Sequence, residues 1–298
     1  MPHVLRTPLR RSDWLSSIAG APVSLKLETL QETFSYKFRG ALNAVLRLCE
    51  ESSRPSGLVT ASAGNHGRGL AAAAAKVGLP LTVYAPARAP KVKLDAMRSL
   101  GAKVELCADY DDAERQARRH DAPGVLYVSP YAHPYVIAGA GTVALEILAQ
   151  DPSIEVIVCP VGGGGLASGI AIAAGDRAAT WGVETEASCP FTKSLAAGHI
   201  VAIDVKPSVA DGLVGNLDPE TITFDLVKQN VAGITTVTEE QAVRTVGQLV
   251  AEERLIAEGA AAVGVAGVVA GRVPIAGRPT AVVLTGANID RDKLRQLI

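Results

Sequence analysis

Paired cysteines are missing from this sequence. Cys49, Cys107, Cys159 and Cys189 are scattered and form no CxxC pair. That argues against a disulfide framework and reads as free thiols in a reducing cytoplasm. The five histidines show no zinc-like spacing and HExxH is absent, so no metal centre is expected. Aromatic residues are only 4% of the chain, too sparse for a platform on which bases stack. Neither sign of charge is in excess: the formal net charge of −1 offers no basic face for nucleic acid and no patch for a membrane surface. Apolar stretches are broken by Gly, Pro or charge before they reach spanning length. The start, Met1-Pro2-His3-Val4-Leu5-Arg6, lacks the apolar core of a signal peptide. Internal repeats and low-complexity linkers are absent too.

What remains is a chain of 298 residues, 48% hydrophobic, long enough for one large domain or two lobes sharing a cleft. Short β-like runs alternate with Ala-rich helical runs. Val23–Leu27, Gly57–Thr60, Leu81–Tyr84, Lys103–Leu106, Ile154–Cys159, Thr180–Val183 and Thr280–Leu284 read as strands. Helices are expected from Lys37 onward and over Gly69–Val77, Lys91–Leu100, Asp111–Arg119, Thr142–Gln150, Leu166–Ala174, Glu239–Arg254 and Ala260–Ala270. This alternation predicts an α/β fold with parallel sheets. Val156-Ile157-Val158 and Ala281-Val282-Val283-Leu284 are apolar throughout, as strands buried on both faces should be.

Four stretches carry chemistry. In Phe34-Ser35-Tyr36-Lys37-Phe38-Arg39-Gly40-Ala41, one lysine stands at the start of an amphipathic helix that Ser35 can cap. The helix dipole disfavours positive charge there, so Lys37 should favour its neutral, nucleophilic form. A neutral amine condenses with carbonyl compounds, which makes Lys37 a candidate anchor for pyridoxal phosphate. An ordinary surface lysine fits the same pattern. Thr60-Ala61-Ser62-Ala63-Gly64-Asn65-His66-Gly67 joins a strand to a helix, and its small residues let backbone N–H groups face an anion such as a carboxylate. Taken alone it is equally a tight turn. Val161-Gly162-Gly163-Gly164-Gly165-Leu166 follows a buried strand and opens a helix; four glycines permit close backbone approach to a phosphate, and no P-loop Lys-Ser/Thr pair follows. Leu284-Thr285-Gly286-Ala287-Asn288 ends the last strand, where ligands of open α/β sheets gather, although a plain strand-ending turn has the same composition.

Together these stretches resemble the fold-type II pyridoxal-phosphate enzymes, in the threonine/serine dehydratase and serine racemase branch. The resemblance runs over nearly the whole chain and extends to Lys26-Leu27-Glu28-Thr29, Gly182-Val183-Glu184, Ala210-Asp211-Gly212 and Glu258-Gly259-Ala260. It implies a two-lobed fold like the tryptophan synthase β-subunit, with parallel-rich twisted sheets flanked by helices. Residues 1–54 and 134–298 are expected to form the large cofactor-binding domain, and 55–133 a small, mobile substrate-side domain. The resemblance makes Lys37 the Schiff-base lysine and Cα base. It places Asn65 on the ring 3-hydroxyl, Gly162, Gly163, Gly164, Gly165 and Leu166 on the 5′-phosphate, and Thr285 opposite the pyridine nitrogen. Ser62, Ala63, Gly64 and His66 line the substrate carboxylate pocket. Tyr36, Phe38 and Arg39 are expected to pack rather than react, and Glu258 to lie near the ring.

The implied reaction is α,β-elimination from L-threonine or L-serine, giving a 2-oxo acid and ammonia, in a cytoplasmic homodimer. Two departures refine it. Racemases of the branch carry a serine as acid/base where this chain has Ala63, which favours lyase over racemase activity. Cation-dependent members pair two carboxylates six residues apart; here Glu184 is followed at that distance by Pro190, and a hard cation wants several oxygens. The short segment Ile289–Ile298 leads to the further expectation that isoleucine feedback is absent. The competing activities are a serine or aspartate racemase and a hydroxyaspartate or phenylserine lyase on the same scaffold. From other classes, the competitors are a nucleotide-binding protein and a catalytically silent binding protein.

Overall fold

The computed structural model describes residues 3–51, 53–120 and 122–298. Among them the strands are β1 (Leu9–Arg11), β2 (Val23–Leu27), β3 (Gly57–Ala61), β4 (Leu81–Pro86), β5 (Lys103–Cys107), β6 (Val125–Tyr127), β7 (Val156–Pro160), β8 (Ala179–Thr185), β9 (Gly233–Val237) and β10 (Thr280–Leu284). The α-helices are α1 (Asp13–Ala19), α2 (Lys37–Glu50), α3 (Asn65–Val77), α4 (Lys91–Ser99), α5 (Tyr110–Arg118), α6 (Pro134–Gln150), α7 (Gly165–Ala174), α8 (Pro190–Ala197), α9 (Thr223–Asn230), α10 (Glu239–Glu253), α11 (Gly259–Val269) and α12 (Arg291–Leu297). The strands form two sheets, and the chain divides into two units around them.

One unit is built on Lys37–Ala140 and holds a four-stranded sheet, ordered β5-β4-β3-β6 and parallel throughout. β3 is buried at every position, as a central parallel strand should be. The alanines of α3 give it a narrow profile, so it packs closely on α2, and Phe38, Leu42, Val45 and Leu70 close the core between them. α2 belongs with this sheet.

The other unit is built on Leu5–Tyr36 and Gly141–Ile298. Its six strands run β1-β2-β10-β7-β8-β9, and only β1 is antiparallel. β10 lies between β2 and β7 and is wholly buried. α11 is apolar on all sides and is buried from Gly259 to Val268, packed on β7, β8 and β10.

Most elements start within a residue or two of their expected positions. α6 and α3 begin earlier, α6 at Pro134 rather than Thr142 and α3 at Asn65 rather than Gly69. The α6 glycines look like helix breakers in the sequence, but they are packing residues. A Cβ at Gly139 would lie 2.5 Å from the Arg39 carbonyl oxygen, and one at Gly141 would lie 2.6 Å from that of Gly169. β6, α8, α9 and β9 carry too little hydrophobic pattern to be read in advance. No described helix is long and apolar enough to cross a membrane.

Candidate active site

Lys37 is the first residue of α2, and its side chain is half-buried. Its Nζ donates to the Pro130 carbonyl oxygen at 2.7 Å, just past the end of β6. Ser35 lies two residues before the helix, extended at φ −160° and bridged to Gly286. Phe38 and Arg39 are fully buried, so the two residues after the lysine pack. Tyr36 packs too: burial first, then the neighbouring Cys159 and Glu258, raises its phenol far above the usual range, which keeps the proton on it.

The β3–α3 turn is shaped by Ser62. Its hydroxyl accepts from the amides of Gly64 (3.2 Å) and Gly67 (2.9 Å), wrapping the turn onto the head of α3. The amides of Ala63, just before the N-cap Gly64, and of His66, in the first turn of α3, meet no protein acceptor among the described residues. The His66 ring is buried, with Nε2 3.4 Å from the Val128 carbonyl oxygen and Nδ1 without a partner among the described residues. Burial and, after it, the charge of Lys37 push the imidazole down to about 3. It is therefore neutral at working pH, and what His66 offers a ligand is its backbone N–H.

Gly162–Leu166 and Thr285 lie in the six-stranded unit. β7 and β10 are parallel neighbours, so the glycine loop and Thr285 leave the carboxyl ends of adjacent strands. Gly164 is left-handed at φ +82° and caps α7. None of the amides from Gly162 to Leu166 has a protein acceptor among the described residues, so this loop keeps a row of N–H donors on the positive end of α7. The loop is braced from behind. The Thr223 hydroxyl donates to the Gly163 carbonyl oxygen at 2.8 Å and is itself paired with the Thr221 hydroxyl at 2.8 Å, while the buried Phe191 ring lies against Gly164. Thr285 is 3% exposed, and its hydroxyl makes no hydrogen bond to protein among the described residues. Glu258 packs its carboxylate against Gly286, and its amide donates to the Gly286 carbonyl oxygen at 3.0 Å.

Sequence reasoning missed the braces Thr223 and Phe191. They come from α9 and α8, segments without a helical signal, so nothing in the pattern marked them.

Glu184 ends up as a helix cap. Its carboxylate accepts from the amides of Phe191 (2.9 Å) and Thr192 (2.8 Å) and from the Thr192 hydroxyl (2.6 Å), at the N-terminus of α8 where Pro190 is the first residue. Both oxygens are engaged, and a cation would have to compete with three donors. Burial outweighs those donors and raises the carboxyl to about 7. The unfolded chain releases this proton near the ordinary value of 4.5, so between about 4.5 and 7 the folded state binds more protons than the unfolded one. Stability from this group is therefore full below the unfolded value and is lost as pH rises through about 7, by roughly 3 kcal/mol. Thermal unfolding should show that decline in the parent protein and a flatter profile in Glu184→Gln, with no response to a chelator. Parallel profiles for the two proteins would rule the assignment out.

Comparison with known proteins matches this arrangement. The family model for pyridoxal-phosphate dependent enzymes matches residues 1–286. An L-threonine ammonia-lyase of Thermotoga maritima is 40% identical over 99% of this chain and 74% of its own length. A beta-hydroxyaspartate dehydratase of Paracoccus denitrificans is 35% identical over 98% of this chain and 94% of its own. Among solved structures, the processed form of threonine deaminase isoform 2 from Solanum lycopersicum superposes with a TM-score of 0.89 at 32% identity, covering 99% of this chain and 87% of that one. With a parallel-rich α/β architecture, a lysine heading α2 and a donor-rich glycine loop after β7, the chain belongs to the pyridoxal-phosphate dependent enzymes of fold type II.

Proposed function

We propose that this protein is a dehydratase, or ammonia-lyase, that converts L-threonine, L-serine or both to a 2-oxo acid and ammonia. The observation that carries the reaction class is Ala63, a methyl group where exchange of a proton on the second face of Cα needs a hydroxyl. The substrate class is supported by the likeness of 99% of this chain to the Thermotoga maritima L-threonine ammonia-lyase.

The residues present fit pyridoxal phosphate. The unpartnered amides of Gly162–Leu166 suit a phosphate, and the Thr285 hydroxyl is available to a ring nitrogen. When bound, this cofactor supplies a carbonyl that condenses with amines and draws electrons from the Cα–H bond. Lys37 Nζ would anchor it and, as a neutral amine, would accept the Cα proton. Asn65 holds the ring 3-hydroxyl. The amides of Ala63 and His66, with Ser62 and Gly64 shaping their turn, hold the substrate carboxylate. The neutral hydroxyl of Thr285 would face the ring nitrogen without the charge an aspartate would bring, which would make the cofactor a weaker electron sink and suit elimination. Net chemistry balances: the Cα–H and Cβ–O bonds break, water leaves, and water then cleaves the C–N bond to release ammonia.

A panel of L-threonine, L-serine, L-threo-3-hydroxyaspartate and phenylserine, followed for 2-oxo acid and for D-amino acid, tests this. Threonine or serine should give the highest kcat/KM, with D-isomer formation at least about 100-fold slower because no second acid/base is in place. Comparable rates of the two products, or a preference for hydroxyaspartate, the compound for which the Paracoccus denitrificans dehydratase is named, would overturn the assignment. Assembly as a homodimer belongs to the same proposal through the family resemblance, and the four free thiols support only its cytoplasmic location.

A further inference from the structure

The segment that delivers Lys37 is strained. Thr33 and Phe34 are consecutive non-glycine residues in the left-handed region, at φ 65° and 57°. β-branched and bulky residues rarely sit there. The Phe34 ring does not hold the conformation by burial, since it is 54% exposed. The backbone is held instead by the loop after β10. Asn288 Nδ2 donates to the Thr33 carbonyl oxygen at 2.9 Å, and the Ala287 amide donates to that of Phe34 at 3.0 Å. Ser35 bridges Gly286, and the Tyr36 amide donates to the Thr285 carbonyl oxygen at 3.0 Å. Four consecutive residues, 33 to 36, are thus clasped antiparallel to 288 to 285.

A side-chain bond, from Asn288, reaches the first of the two left-handed residues in this clasp. We infer that Asn288 is a positioning residue for Lys37: by holding Thr33 left-handed it fixes the backbone one peptide before the lysine at a set distance from Thr285. The inference rests on the reading of Lys37 as the cofactor-anchoring lysine and of Thr285 as the partner of the ring nitrogen. Those two contacts lie at opposite ends of the pyridine ring, so their separation must match one rigid molecule. A clasp tying residue 36 to residue 285 sets that separation before any ligand arrives, which is preorganisation. Strain of this kind persists only where the surroundings over-determine it.

The test follows attachment of pyridoxal phosphate to the full-length apoprotein, trapped with borohydride and located by mass spectrometry, alongside thermal unfolding. Asn288→Ala should attach cofactor at Lys37 about tenfold more slowly. Glycine accepts left-handed φ without strain, so Thr33→Gly/Asn288→Ala should recover to within about twofold of the parent. The double variant also covers the case in which Asn288→Ala alone folds poorly, because it relieves the same strain. Equal attachment rates for parent and Asn288→Ala, or a double variant as slow as the single one, would overturn the clasp. Attachment that survives Lys37→Ala would overturn the underlying reading of Lys37 instead.

Discussion

Lys37→Ala will fold and release 2-oxo acid at least about 10³-fold more slowly than the parent. The fold should survive because the side chain is half-buried and its hydrogen bond to the Pro130 carbonyl oxygen is worth about 1 kcal/mol. Activity should not survive, because in the mechanism proposed above one amine both anchors the cofactor and moves the Cα proton, with the methyl group of Ala63 on the other face. Lys37→Arg separates charge from chemistry. It puts a permanent cation at the head of α2, but a guanidinium does not lose its proton and cannot attack a carbonyl. Both variants should be comparably inactive, with unfolding temperatures close to the parent. Turnover within tenfold of the parent in Lys37→Ala would remove the lysine from the mechanism.

The second large effect is expected at Gly164. A Cβ there would lie 2.4 Å and 2.9 Å from Cζ and Cε2 of Phe191 and 3.1 Å from Cβ of Thr223, on a backbone at φ +82°. Neither neighbour is free to move. Phe191 is fully buried beside the Glu184 cap, and Thr223 is fixed to the Gly163 carbonyl. Gly164→Ala should therefore lose about 3 kcal/mol of stability, the sum of backbone strain and overpacking. Its affinity for pyridoxal phosphate should fall about 100-fold as the amide row is displaced. Gly198 supplies the control, since it has nearly the same φ, +80°, and nothing within 4 Å of its missing Cβ. Gly198→Ala should lose only about 1 kcal/mol and bind cofactor normally. Urea unfolding and an absorbance titration report both quantities, and equal losses at the two glycines would show that packing behind the loop is irrelevant.

Much of this was legible in the sequence, because the residues involved answer local rules. β2 and β10 have the expected bounds, and Lys37 begins its helix, since apolar runs and helix starts are set by near neighbours. The glycine loop was legible for the same reason: a donor row needs glycines in succession. What stayed hidden depends on residues far apart in sequence. Nothing near Gly139 shows that Arg39 lies against it, and nothing near Thr223 shows that it braces Gly163. Glu184 stands in a motif whose residues alone do not show that its carboxylate caps the N-terminus of α8; only geometry shows that. The left-handed pair Thr33 and Phe34 contradicts local preference, so no reading of local preference finds it.

The order of the six-stranded sheet has a consequence for biosynthesis. β2 is synthesised before its parallel neighbour β10, which follows roughly 250 residues later. At translation speeds of roughly 5–20 residues per second, β2 waits on the order of 10–50 s with that edge unpaired. The strands of the four-stranded sheet all lie within one contiguous stretch, so that sheet has every partner it needs during this interval. Nascent chains therefore pass through a stage in which the lysine-bearing unit has its full set of strands while β2 is still an open edge, and that edge is where a chaperone would be needed.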